Sequence, residues 1–156
     1  MKPMRPVSTI VLVGMCLGAL PACTSVLLNT PVTKRAEGWV VKLSEVKDGP
    51  SEYVGEAVHF QPGSGNQLIW AVLTVRSEAP EEQTFSYDAC TLSDGTLVTE
   101  PAVVARHPEV SVPVDRSEAF TNGQERTRLL VYRFPDERRP TRIKCGTIVL
   151  PIPAAR

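Results

Sequence analysis

The chain is poor in the residues on which most catalytic and metal chemistry depends. Its 156 residues include two histidines and four cysteines. His59 and His107 form no H-x-H pair, and no cysteine lies in a C-x-x-C motif. A structural or catalytic zinc site needs three or four convergent ligands of those types, so neither is expected. No G-x-S-x-G elbow occurs, and no nucleophile, base and orienting acid are spaced as a hydrolase would require. Charge of one sign is lacking too. Lysine plus arginine and aspartate plus glutamate number 17 each, a balance that gives no electrostatic reason to expect nucleic acid as a partner. Apolar spacing of the helical kind is almost missing, which argues against a bundle or an α/β fold. The one sustained apolar run, Val7 to Leu20, is too short to cross a bilayer as a helix.

What is present begins with that run. Lys2 and Arg5 precede it, and Leu20-Pro21-Ala22-Cys23 follows it, with a small residue directly before the cysteine. This order of basic start, apolar stretch and small-residue junction resembles a bacterial lipoprotein signal, in which residues 1–22 are removed and Cys23 carries a palmitate-type lipid. The resemblance implies a membrane partner through the lipid anchor and a place in the bacterial cell envelope, outside the cytoplasm. It addresses the chain without giving it chemistry. Removing 22 of 156 residues leaves 134, enough for one domain. Lys2 and Arg5 leave with the signal, so the mature protein carries a net charge of about minus two.

The cysteine count then falls into place. Cys16 lies in the discarded run and Cys23 at the lipidation junction, so Cys90 and Cys145 are the two thiols of the folded domain, and in an oxidising compartment the simplest reading is a disulfide. Residues 23–36 have little periodicity and read as a tether, although Val26, Leu27 and Leu28 offer an alternative as an edge strand.

From residue 37 to 156 the pattern is β throughout. Trp39, Val41 and Leu43 alternate with polar or outward positions, and Asp48-Gly49-Pro50 stops the run. Ala57 to Phe60 forms a short second run before the turn residues 62–66. Leu68 to Val75 is apolar at both alternating sets, as a central strand covered on both faces would be. Phe85, Tyr87 and Ala89 alternate next, and Asp94-Gly95 predicts a hairpin into Leu97 and Val98. Pro101, Pro108 and Pro113 confine the following strands to short edge pieces. Asn122-Gly123 marks another turn, Arg128 to Phe134 a strong strand, and Ile143 to Leu150 a last one. Acidic residues crowd positions 78–125 and basic ones positions 126–144, a division that cross-strand pairing explains. Many short strands with frequent turns predict an all-β, antiparallel, immunoglobulin-like sandwich.

The segments Trp70-Ala71-Val72-Leu73-Thr74-Val75-Arg76, Thr84-Phe85-Ser86, Asp94-Gly95, Asn122-Gly123-Gln124 and Leu130-Val131-Tyr132-Arg133-Phe134-Pro135 together resemble the telokin-like, immunoglobulin-like family of unknown function found in bacterial lipoproteins. Over roughly residues 37–150 the resemblance implies a sandwich on the cell envelope and no catalytic residues. The function expected is therefore that of a non-catalytic envelope module, without cofactor or metal, that binds a protein or glycan partner or plays a structural part. A small-molecule or metal-binding accessory lipoprotein is the alternative. Trp39 is expected in the core. Trp70, with Asn66 and Gln67 on the neighbouring loop, is the candidate contact surface. Asp88, Asp94 and Glu100 are the nearest approach to a Ca²⁺ set, but they lack the loop spacing such a site uses.

Overall fold

The computed structural model describes residues 25–154, so Cys23 and the whole of the lipoprotein signal lie outside the described residues. Fourteen strands follow in chain order: β1 (Val26–Leu28), β2 (Val32–Ala36), β3 (Trp39–Asp48), β4 (Tyr53–Val54), β5 (His59–Phe60), β6 (Asn66–Ser77), β7 (Gln83–Ser86), β8 (Cys90–Ser93), β9 (Val98–Thr99), β10 (Val103–Arg106), β11 (Ser117–Phe120), β12 (Glu125–Pro135), β13 (Arg142–Cys145) and β14 (Ile148–Pro151). The helical content of the described residues is one 3₁₀ turn, Tyr87–Ala89. Every strand pair is antiparallel. The architecture is the antiparallel β-sandwich that the sequence predicts.

One layer runs β1-β3-β6-β12-β10, with β2 also on β3. The other consists of the sheet β14-β13-β8-β9 and the separate β7–β11 pair, which the 3₁₀ turn links to β8. Between them sits the main core, where Val41, Leu43, Ile69, Leu73, Leu130 and Phe134 of the first layer meet Phe85, Leu92, Phe120, Ile143 and Leu150 of the second. Trp39 packs on this core and meets Phe85 and Phe120 edge-on, at centroid distances of 5.1 and 5.4 Å. The Tyr132 hydroxyl, wholly buried, donates to the Cys90 carbonyl at 2.7 Å and so joins the layers through a satisfied polar contact.

The opposite face of β6 and β12 is not left to solvent. Leu68, Val72, Leu129 and Val131 form a second apolar cluster with Tyr53, Val103 and Ala105. The β4–β5 hairpin and Val110 cover it. Tyr53 donates its hydroxyl to the Val110 carbonyl at 2.8 Å, and the Glu56 amide donates to the Ser111 carbonyl at 2.8 Å. This double burial explains why Leu68 to Val75 reads as continuously apolar, and it sets β6 at the centre of the sheet between β3 and β12.

Three boundaries differ from the sequence reading. The stretch read as a tether belongs to the sheet from Val26 onward: β1 pairs with the end of β3 and β2 with its start, either side of a register shift between Leu43 and Glu45. A two-residue turn at Glu37 (φ 54°) and Gly38 (φ 79°) closes β2 onto β3. Both residues need positive φ there, and the turn suits the right-handed twist of a hairpin. The alternating run from Phe85 to Cys90 is divided between β7 and β8 by the 3₁₀ turn. The last apolar run is a hairpin, because Gly146 (φ 59°) folds β14 back on β13.

Candidate functional site

Cys90 and Cys145 face each other in register across β8 and β13, with Cα atoms 3.9 Å apart, and they form the expected disulfide. The other residues singled out from sequence do not converge. Asn66 donates from Nδ2 to the Ser64 carbonyl at 3.0 Å, and Gln67 donates from Nε2 to the Pro135 carbonyl at 3.4 Å. Both side chains thus brace the loops at the start of β6. Trp70 packs on the second cluster, edge-on to Tyr53 at 6.5 Å. Its indole nitrogen is buried and has no hydrogen-bond partner among the described residues. Gly49 lies directly over the ring: a Cβ at that position would stand 2.5 Å from Trp70 Cδ1. Trp70 therefore packs against the second cluster while part of its side chain stays exposed.

His59 is exposed and paired with Glu52, whose carboxyl is held below its ordinary value by hydrogen bonds from His59 and Gln61. His107 is an exposed loop residue. Asp88 pairs with Arg116 and Asp94 with Arg138. Asp94 also accepts hydrogen bonds from the amides of Leu97 and Thr96, which hold its carboxyl low and close the Asp94-Gly95 turn. Among the described residues no three or more His, Cys, Asp or Glu side chains gather as metal ligands would.

The densest polar cluster is one the sequence reading did not find. Glu118 of β11 accepts two hydrogen bonds from Arg128 of β12, at 2.9 Å from Nε and 2.6 Å from Nη2. It accepts a third from the Tyr87 hydroxyl at 2.7 Å, and Arg126 approaches its Oε1 to 3.2 Å while stacking over the Phe120 ring. Burial raises the Glu118 carboxyl, but the hydrogen bonds from Arg128 and Tyr87 outweigh it and the net displacement is downward. Burial, and then Glu118 itself, push the Tyr87 hydroxyl far above the tyrosine range. The fork of Arg128 matches the carboxylate bidentately. Its signal in the sequence was only the split between acidic and basic segments, which pairing does explain here.

Replacing Glu118 with Gln is expected to cost about 2 kcal/mol at neutral pH, since it weakens charge-assisted bonds in a half-buried setting. Because the folded carboxyl titrates lower than the unfolded one, its stabilisation is present above the unfolded value and drains away as pH falls through the folded value. Chemical denaturation of wild type and Glu118→Gln between neutral and acid pH should show curves that converge on acidification. A constant gap would contradict the assignment.

An apolar-lined hollow lies elsewhere, at one corner of the sandwich. Its volume is about 460 Å³, and Val26, Leu27, Pro140, Ile152, Pro153 and Ala154 line it together with Ser25 and Arg139. A second hollow of about 390 Å³ adjoins it along Val26 to Thr30 and shares Pro153 and Ala154. The corner is firmly built. Ser25 bonds the Asp48 carboxylate through its hydroxyl, its carbonyl accepts from the Asp48 amide at 2.9 Å, and Arg139 reaches Asp48 at 3.1 Å. The Ile152 amide donates to the Thr141 carbonyl at 2.8 Å. Val26 keeps half of its surface exposed. A patch of this kind can take apolar matter.

By its fold the chain is thus a two-layer, disulfide-linked antiparallel β-sandwich with an apolar corner hollow. No protein-family model matches it, and neither does any curated protein. Among solved structures it is similar to the crystal structure of a functionally unknown protein from Listeria monocytogenes EGD-e, at 9% sequence identity and a TM-score of 0.51, over 87% of this chain and 90% of that one. At that identity the likeness concerns the fold alone.

Proposed function

We propose that this protein is a lipid-anchored, non-catalytic module of the bacterial cell envelope, which binds a protein or glycan partner or plays a structural part there. The observation that carries the reading is the junction Leu20-Pro21-Ala22-Cys23 behind a basic start and an apolar run, two residues ahead of Ser25, whose carbonyl is bonded to the Asp48 amide. A domain that buries a disulfide suits an oxidising compartment. The mutual satisfaction of Tyr87, Glu118 and Arg128 supports a structural use of the most perturbed ionisable groups. The short motifs from Trp70 to Pro135 support a place with the telokin-like lipoprotein domains.

The test is metabolic labelling with a fatty-acid analogue. The full chain should take up label and sediment with membranes, and Cys23→Ala should lose the label and appear in the soluble fraction. A labelled, membrane-bound Cys23→Ala protein would refute the anchor. Affinity isolation of the labelled protein from its native membrane then identifies the partner.

A further inference from the structure

We propose that the corner hollow formed by Val26, Leu27, Pro140, Ile152, Pro153 and Ala154 is the surface on which the domain meets the bilayer, with these side chains entering the boundary between headgroups and acyl chains. The inference rests on lipidation at Cys23 and adds to it a defined seat and orientation.

Reach is the first argument. Two residue steps separate Cys23 from Ser25, at most about 7 Å of extended chain. Ser25 is a fixed point, bonded to Asp48 by side chain and carbonyl, and Val26 is already in register with Lys47. The polar zone on each side of a bilayer is about 5–8 Å thick, so a lipid bonded at Cys23 draws Ser25 into or against that zone. The domain has no length of chain with which to stand clear of it.

Composition is the second argument. The surface that begins at Ser25 is the one where Val26, Pro153 and Ala154 are exposed around the buried Ile152. Interfacial seating takes apolar side chains of this kind a few ångströms into the headgroup region, and a lipid already holding the domain there removes most of the cost of association. Arg139 stands on the rim; although paired with Asp48, its side chain remains 59% exposed, which leaves donors for lipid phosphate. The same lipid surface therefore meets apolar groups in the hollow and a cation at its edge. The turn at Asn122-Gly123, at the far end of β12, points to the opposite pole and away from the membrane.

Photocrosslinking tests this on the full-length chain in bacterial cells. p-Benzoylphenylalanine is placed singly at Val26 and at Ala154, both exposed in the seat, and at Glu82, exposed at the opposite pole. Mass spectrometry of the irradiated, membrane-extracted protein reads both the mass at Cys23 and the adducts at each probe. The expected result is acylated Cys23 with phospholipid adducts at 26 and 154 at least about five-fold above those at 82. Acylated protein with equal adducts at all three positions overturns the seat and leaves the anchor standing, as does a protein adduct at 26 and 154, which would make the hollow a partner site. Chain without acylation overturns both.

Discussion

Opening the Cys90–Cys145 disulfide is expected to lower the melting temperature of the domain by about 15 °C. The bond joins positions 55 residues apart. In the chain-entropy model, freeing a loop of that size gives the unfolded state about 4 kcal/mol. A domain of this length loses roughly 4 °C for each kcal/mol. Both cysteines are buried in the main core, and Cys90 also presents its carbonyl to Tyr132, so loosening β8 disturbs a buried polar contact as well. Calorimetry of the oxidised domain with and without reductant, and of the Cys90→Ala, Cys145→Ala double variant, measures the effect. A melting temperature that moves by only two or three degrees would mean that the oxidised unfolded chain is hardly constrained by the bond.

The second large effect is expected at Trp70. Trp70→Ala should cost about 3 kcal/mol, at the lower end for a large aromatic side chain because the indole is only half-buried. It removes the ring that meets Tyr53 and supports Gly49. Trp70→Phe should cost less than about 1.5 kcal/mol, since the indole N–H has no partner to lose and much of the ring is kept. Urea denaturation at equilibrium distinguishes the two. If Trp70→Ala leaves stability unchanged and abolishes attachment to an envelope partner, the residue is a contact surface as first read from the sequence, and its packing is incidental.

These two positions mark how far the residues alone lead. The strand from Leu68 to Val75 was legible because burial on both faces leaves a continuous apolar run, and the Asp94-Gly95 and Asn122-Gly123 turns were legible because side-chain capping and positive φ restrict their residues. The β2–β3 hairpin was missed because Glu37 holds positive φ in a place where Asn or Asp would have announced the turn, so strand residues 32–36 read as tether. Gly146 escaped notice for a related reason: no Asn or Asp precedes it to announce the turn, although the buried set shifts phase across it, from Ile143 and Cys145 to Ile148 and Leu150. For Trp70, alternation placed the side chain opposite Ile69 and Ala71 correctly. It gave no hint that a hairpin from residues 53–60 would fold over that face. The Glu118 cluster is harder still, since Tyr87, Glu118, Arg126 and Arg128 meet only once three separate strands and turns are in place.

The double-faced burial of β6 also bears on how the molecule is made. A chain delivered in sequence order presents β6, apolar on both sides, before its partners in β12 have emerged about 60 residues later: Trp70 pairs with Val131 and Val72 with Leu129. Until then one edge of an apolar strand stands open to any other strand that meets it, which is the geometry from which self-association starts. Pairings this distant in sequence also slow folding, because loop closure must precede the contacts that reward it. During biosynthesis the hazard of this protein is thus concentrated in residues 66–77, and its safe passage depends on how soon residues 125–135 reach them.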